Sequence, residues 1–182
     1  MPAYHSAFNE LDDVRLVGNT SILPLKTRFR GPAPLADSSS PDIIDEAISL
    51  FRANCLFRNF ELNGPADRLL IYLTLFISEV LSKVASHRSA LAPAEAKKVL
   101  GTLALDSFAL PGDATFPLNS MYAPPANSVD ADHLRSYLTQ ARQEVVLRLL
   151  DHLYPTDNEG HQATVPSKWW MCFTKRKGFW GA

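Results

Sequence analysis

The chain has 182 residues, of which 18 are basic and 19 acidic, so its formal net charge at pH 7 is −1. A chain of this length fits one domain and can bury roughly 70% of the surface that its unfolded state exposes, so we expect a core that needs neither metal nor disulfide. The near-neutral charge provides no long-range field to gather nucleic acid or an anionic membrane. Nucleic acid is therefore a poor default partner.

Cysteine usage and hydropathy indicate an intracellular soluble protein. Cys55 and Cys172 lie far apart in apolar helical contexts, where a free thiol behaves as a small hydrophobic group, and we interpret them as packing residues in a reducing compartment. The N-terminus lacks a basic segment followed by an apolar one, so no secretory signal is expected. The most apolar stretch, residues 69–77, is shorter than the roughly 20 residues needed to span a bilayer.

The first third of the chain contains an arm followed by a helix. Prolines interrupt residues 1–36, so we predict an extended arm there, followed by a flexible linker before residue 41. A helix is predicted from Pro41, with Ser40 as its cap, to about Phe60. Its apolar face repeats every three to four residues at Ile44, Ile48, Phe51 and Cys55.

Three further helices complete the predicted body, which spans residues 41–153. The second, from Pro65 to about Ser86, is apolar on nearly all sides and should therefore be central. The third, from Pro93 to about Leu105, contains Gly101, which weakens its helical propensity by roughly 1 kcal/mol. The fourth is predicted from Ser128 to about Leu153, a length of about 39 Å.

Two non-helical regions and one short helix remain. Residues 109–127 are rich in proline but also apolar, so we expect an ordered loop lying on the helices. After a polar linker, Ser167 can cap a short helix at residues 166–177. The predicted fold is all-α: one irregular multi-helix domain over residues 1–182, with a long central apolar helix, a long helix in the C-terminal half and an extended N-terminal arm.

No pattern in the sequence indicates a catalytic centre, a cofactor or a metal. The five histidines are scattered singly, and no pair has the spacing of a zinc site. Asp42 and Asp45 could suggest paired carboxylates, but acidic residues in a first helical turn are explained by the helix dipole. Glycine-rich phosphate loops are absent from the sequence. We therefore expect no catalytic residue and no enzyme.

The most unusual feature is the tail, where all three tryptophans fall within the last fourteen positions. Such a cluster of large apolar side chains near a terminus is typical of an anchor. Three interpretations remain open: a binder of single-stranded nucleic acid or anionic membrane, a surface complementary to an acidic protein, or a short helix that docks on the chain's own core. The basic and aromatic residues concerned are Lys168, Trp169, Trp170, Phe173, Lys175, Arg176 and Lys177.

Five short motifs, in this order and spacing, carry a resemblance over nearly the whole chain. They are GPAP at 31–34, DIIDEAI at 42–48, ADRLLIY at 66–72, FPLN at 116–119 with YAPPAN at 122–127, and PSKWW at 166–170. Together they closely resemble the family of subunit 3 of the actin-related protein 2/3 complex.

This resemblance implies a non-catalytic, all-helical structural subunit of a seven-subunit assembly that nucleates a daughter actin filament on the side of an existing one. The implied partners are the actin-related subunits, the other subunits and, through the complex, the actin filament, in the cytoplasm at cortical actin structures. No nucleic acid, membrane insertion or cofactor is implied, and the alternative remains a basic–aromatic binding module. Tyr122 joins the tail residues as a candidate interface residue; we favour docking on the chain's own core for Trp169 and the partner surface for the basic residues.

Overall fold

The computed structural model describes residues 4–55 and 60–175, and this part of the chain is mostly helical. A two-stranded antiparallel hairpin, β1 (Leu16–Val17) and β2 (Thr20–Ser21), precedes the α-helices in the chain. The α-helices that follow are α1 (Ile43–Asn54), α2 (Pro65–Ala85), α3 (Pro93–Leu105), α4 (Ser128–Leu153) and α5 (Lys168–Met171). Short 3₁₀ helices cover Ala7–Glu10 and Cys172–Lys175. The strictly all-α expectation is thus modified by one small hairpin.

Helix α1 begins two residues later than predicted because Asp42, not Ser40, is its N-cap. The Asp42 carboxylate accepts hydrogen bonds from the backbone N–H groups of Ile44 and Asp45, both at 3.1 Å, and Asp45 accepts one from the Asp42 N–H at 3.1 Å. This reciprocal capping box satisfies the Ile44 and Asp45 donors of the first turn. The helix ends at Asn54 with Cys55 as its C-cap. Of the predicted continuation to about Phe60, residues 56–59 lie outside the described part of the chain, and Phe60 itself is not helical.

Helix α2 is central, as its sequence indicates. Pro65 occupies its first turn, where the missing N–H has no cost, and buried side chains lie on every side of it. It packs against α1, α3, α4 and the N-terminal hairpin. In the described part of the chain, every helix is too short or too polar to span a bilayer.

Helices α3 and α4 form the most extensive helix pair. Helix α3 occupies the predicted range, and α4 follows an Asn127 cap whose side-chain oxygen accepts from the Asp130 N–H at 2.9 Å. At 1.5 Å per residue, the 26 residues of α4 extend about 39 Å.

The N-terminal arm contributes buried side chains to the core. Its apolar side chains at Val17, Ile22, Leu23 and Leu25 are buried. The tight turn of the hairpin needs Gly18, whose φ is +59°, because a side chain there would collide with the Ala123 carbonyl. The arm thus contacts the 109–127 loop, which itself buries Leu110, Phe116, Leu118 and Tyr122.

Candidate partner interface

The C-terminal segment is attached to the end of α4 through Ser167. The Ser167 N–H donates to the Leu153 carbonyl at 2.8 Å, and the Ser167 carbonyl accepts from the N–H groups of Trp170 at 3.1 Å and Met171 at 3.0 Å. Ser167 occupies the N-cap position of α5, but its side chain makes no capping hydrogen bond, contrary to the sequence prediction. Ser167 therefore connects α5 to α4 through backbone hydrogen bonds and not through its side chain.

Trp170 docks on the core of this same chain. It is only 6% exposed and stacks on Phe51 of α1, with ring centroids 5.7 Å apart and planes 26° from parallel. Phe173 contacts the same Phe51 edge to face at 5.8 Å. The groove that an anchor requires is therefore supplied by α1 for Trp170.

Trp169 faces outward, which corrects the expectation that it packs within the chain. Its side chain is 47% exposed, because adjacent helical residues point about 100° apart and Trp170 takes the inward direction. Trp169 contacts Trp170 edge to face at 5.1 Å, and the Arg52 guanidinium lies 5.2 Å from the ring centroid. A large aromatic surface, supported by its neighbours, is left exposed, with Lys168 exposed beside it.

A surface depression of about 540 Å³ lies next to this tryptophan pair. It combines aromatic, aliphatic and charged side chains from α1, α4 and α5, and His152 stands 5.9 Å from the Trp170 ring. Its lining residues are Asp45, Ile48, Ser49, Arg148, Asp151, His152, Trp169 and Trp170.

One side of the depression is formed by an ion network centred on Arg148. Its guanidinium contacts Asp42 at 2.6 Å, Asp45 at 2.7 Å and Glu144 at 2.8 Å, and it also donates to the Lys26 carbonyl at 2.6 Å. The Lys26 ammonium in turn lies 2.6 Å from Asp45. Helices α1 and α4 and the N-terminal arm are therefore joined at this point.

The network favours the charged forms of Arg148 and Asp45. Burial by itself favours a neutral Arg148, but hydrogen bonds to Asp42 and Glu144 outweigh it and raise the pKa of Arg148. For Asp45, burial raises the pKa, whereas the hydrogen bonds from Lys26, the Asp42 N–H and Arg148 lower it below its usual value. The carboxylates of the network are paired with the side chains of Arg148 and Lys26, so the network serves to hold the fold together.

Sequence reasoning assigned Asp42 and Asp45 to the start of α1 but missed their partner. The spacing of Glu144 and Arg148, four residues apart on a helix, marks an ion pair and could have drawn attention to Arg148. Nothing local, however, brings α4 to the first turn of α1.

Tyr122 belongs to the interior of the chain. Its side chain is buried, its hydroxyl donates to the Arg68 carbonyl at 2.5 Å, and its ring meets Phe116 edge to face at 5.2 Å. Burial also raises the pKa of Tyr122. The structure accounts for this tyrosine without a partner, so we remove it from the candidate interface.

Among the other tail residues, some lie within the described part of the chain and some do not. Phe173 is partly buried, and Cys172 is exposed, with its thiol donating to the Trp169 carbonyl at 2.9 Å, so Cys172 is not the packing residue that we expected. The Lys175 side chain, Arg176 and Lys177 lie outside the described part of the chain.

No group of three or more histidine, cysteine, aspartate or glutamate side chains that could hold a metal occurs in residues 4–55 and 60–175. What this part of the chain offers is a helix-rich body with a supported aromatic surface. That combination is typical of the class of small helical subunits that act through contact with other proteins.

Comparison with known proteins identifies the family. Residues 1–181 match the family model described as P21-Arc, the ARP2/3 complex ARPC3 (21 kDa) subunit. The chain is 57% identical over 177 residues to actin-related protein 2/3 complex subunit 3 of Schizosaccharomyces pombe, covering 97% of each chain. It is 49% identical to the Dictyostelium discoideum subunit, covering 96% of this chain and 95% of the relative, and 47% identical to that of Saccharomyces cerevisiae, covering 97% of each.

The chain therefore belongs to the ARPC3 family of ARP2/3 complex subunits. The resemblance noted from the five motifs is confirmed. The alternative, a basic–aromatic module for nucleic acid or anionic membrane, receives no support from these relatives.

Proposed function

We propose that this chain is a non-catalytic structural subunit of the ARP2/3 complex and supports the nucleation of branched actin filaments by packing on an actin-related subunit. The observation that carries the proposal is the family match over residues 1–181. In this proposal the chain is one of seven subunits and reaches the actin filament only through the complex. It works in the cytoplasm, in cortical actin structures, and requires no cofactor.

The exposed tryptophan surface supports a contact role for α5. Interface energy concentrates in a few large side chains held in place by their own neighbours, and tryptophan is prominent among them. Trp169 has such support from Trp170, Phe173 and Arg52. The exposed Lys168 beside it, together with the basic residues 175–177 of the sequence, favours a partner surface that is acidic.

Co-purification tests the proposed function directly. Tagged chain expressed in cells should recover both actin-related subunits in stoichiometric amounts after gentle lysis. Recovery of the chain as a free monomer under the same conditions would overturn the proposal.

Two alanine variants separate the interface from the core. Trp170→Ala should lower the free energy of unfolding of the isolated chain by about 3–5 kcal/mol, because a buried indole leaves a cavity. Trp169→Ala should leave the unfolding midpoint close to that of the unaltered chain but weaken incorporation by about 2 kcal/mol, roughly 30-fold in affinity. Urea unfolding and quantitative pull-down measure the two effects, and unchanged incorporation of the Trp169 variant would exclude this surface as an interface.

A further inference from the structure

A second surface groove lies between α3 and α4. It encloses about 390 Å³ and is lined mainly by apolar groups. Its lining shares no residue with the depression beside Trp169. The residues that form its apolar floor and walls are Phe29, Gly101, Ala104, Leu105, Val146, Leu147 and Leu150.

Two leucines of this groove are open to solvent. Leu105 is 62% exposed at the end of α3, and Leu147 is 42% exposed on α4. Single exposed leucines are ordinary on protein surfaces, but here two line one concave apolar site. The groove therefore has the form of a site that gains free energy when an apolar surface covers it.

Gly101 is the second observation. It lies inside α3, its φ is not in the left-handed region, and a methyl group added there would meet no atom within 4 Å. Neither backbone conformation nor packing within the chain requires glycine at a position where alanine would strengthen the helix. What glycine does provide is room for another backbone to approach α3 closely.

The charges around the groove indicate the chemistry of the occupant. Lys97 and Lys98 are its charged lining residues, and neither pairs with a carboxylate within the described residues. Both are exposed on α3, one turn before Gly101. An occupant with carboxylates flanking an apolar stripe would neutralise these cations.

We infer that the α3–α4 groove is a docking site for an amphipathic, acidic helix of another subunit of the complex. A groove between two helices accepts a third helix through its apolar stripe, and glycine at the contact permits a short distance between the helix axes. The inference rests on the proposed function and adds a second contact surface to that of Trp169.

Filling the groove tests the inference. Gly101→Trp places a large side chain where the free chain has space, so the isolated variant should unfold at a midpoint no lower than that of the unaltered chain. Co-expression with the remaining subunits of the complex should show incorporation reduced by about tenfold or more, a loss typical of a blocked interface core. Ser82→Trp, at an exposed position of α2 outside the groove, is the matched control and should incorporate normally.

Charge reversal gives an independent measurement. The double variant Lys97→Glu, Lys98→Glu should incorporate less well, with a larger loss at low salt than at high salt, whereas the corresponding double arginine variant should incorporate normally.

If Gly101→Trp lowers the unfolding midpoint, a second variant takes its place in the groove-filling experiment. Leu105→Asp changes an exposed residue of the groove and should cause the same loss of incorporation.

The outcomes separate the two proposals. If the unaltered chain fails to incorporate, the proposed function fails. If it incorporates and the groove variants do so equally well, only the docking site is overturned. Concentration-dependent dimerisation of the isolated chain that Gly101→Trp abolishes would assign the groove to a second copy and would also overturn the inference.

Discussion

At the scale of single residues, the two adjacent tryptophans lie in opposite environments, one buried and one exposed. Trp170 completes the core by stacking on Phe51, and Trp169 uses Trp170 as one of its supports while remaining half exposed. Substitutions at neighbouring positions should therefore affect different properties, folding in one case and assembly in the other. Such a division follows from helical geometry, because two consecutive side chains cannot face the same direction.

The Asp45 carboxylate makes the free energy of unfolding depend on pH. Its folded-state pKa lies below the usual value of 3.8, so its stabilising contribution is fully present above that pH and is lost as the pH falls through the lowered pKa. Asp45→Asn should therefore lower the urea midpoint at pH 7, and the difference from the unaltered chain should shrink at pH 3. Glu61→Gln, which alters an exposed carboxylate, should shift neither midpoint appreciably; an Asp45 effect equal at both pH values would refute the linkage.

At the scale of elements, the helices differ in whether the side chain of the N-cap residue accepts a hydrogen bond from the first turn. Asp42 and Asn127 cap α1 and α4 through their side chains, whereas Ser167 uses its backbone. The physical difference is whether a side-chain oxygen reaches a free N–H of the first turn. Residue type alone does not establish that geometry.

A matched pair of alanine variants measures this difference. Asn127→Ala should lower the free energy of unfolding by about 1 kcal/mol, because the Asp130 N–H loses its acceptor. Ser167→Ala should change it by no more than about 0.5 kcal/mol, since no side-chain cap is lost. Urea unfolding of both proteins decides the point, and equal losses would contradict the assignment of the caps.

At the scale of the whole molecule, the N-terminal arm holds distant parts of the chain together. The Tyr137 hydroxyl on α4 accepts from the Leu23 N–H at 3.1 Å and donates to the Leu23 carbonyl at 3.0 Å. Near the start of the arm, Asp67 of α2 accepts from the Ser6 N–H at 2.8 Å and from the Asn63 N–H at 2.9 Å. The arm is therefore fastened to both long helices.

Removing one of these links should destabilise the entire chain. Tyr137→Phe leaves the buried N–H and carbonyl of Leu23 without this partner, so the free energy of unfolding should fall by about 1–3 kcal/mol. Tyr4→Phe, which removes a hydroxyl from an exposed ring, should have little effect. Thermal unfolding with a single transition in both variants is expected, and a separate early transition for the arm would show that it is not part of the cooperative core.

Local signals were sufficient for much of the architecture. The apolar pattern of α2 predicted its central position, and the ranges of α3 and α4 followed from proline, periodicity and turn residues. The start of α1 was misplaced because Ser40, Pro41 and Asp42 all favour a helix start, and the competition among them is settled by contacts with Lys26 and Arg148. The arm was predicted to be extended, but its buried leucines and its hairpin depend on long-range packing.

The sequence by itself determined the family and the helical character of this protein, because both depend on the order and spacing of residues along the chain. Only the tertiary structure decided which tryptophan is buried, where Tyr122 lies, and that Asp42 and Asp45 meet Arg148. An amphipathic pattern identifies the face of a helix that avoids water but not the surface that covers it. The proposed partner surfaces, Trp169 and the α3–α4 groove, are apolar groups that remain outside after the chain's own core has been filled.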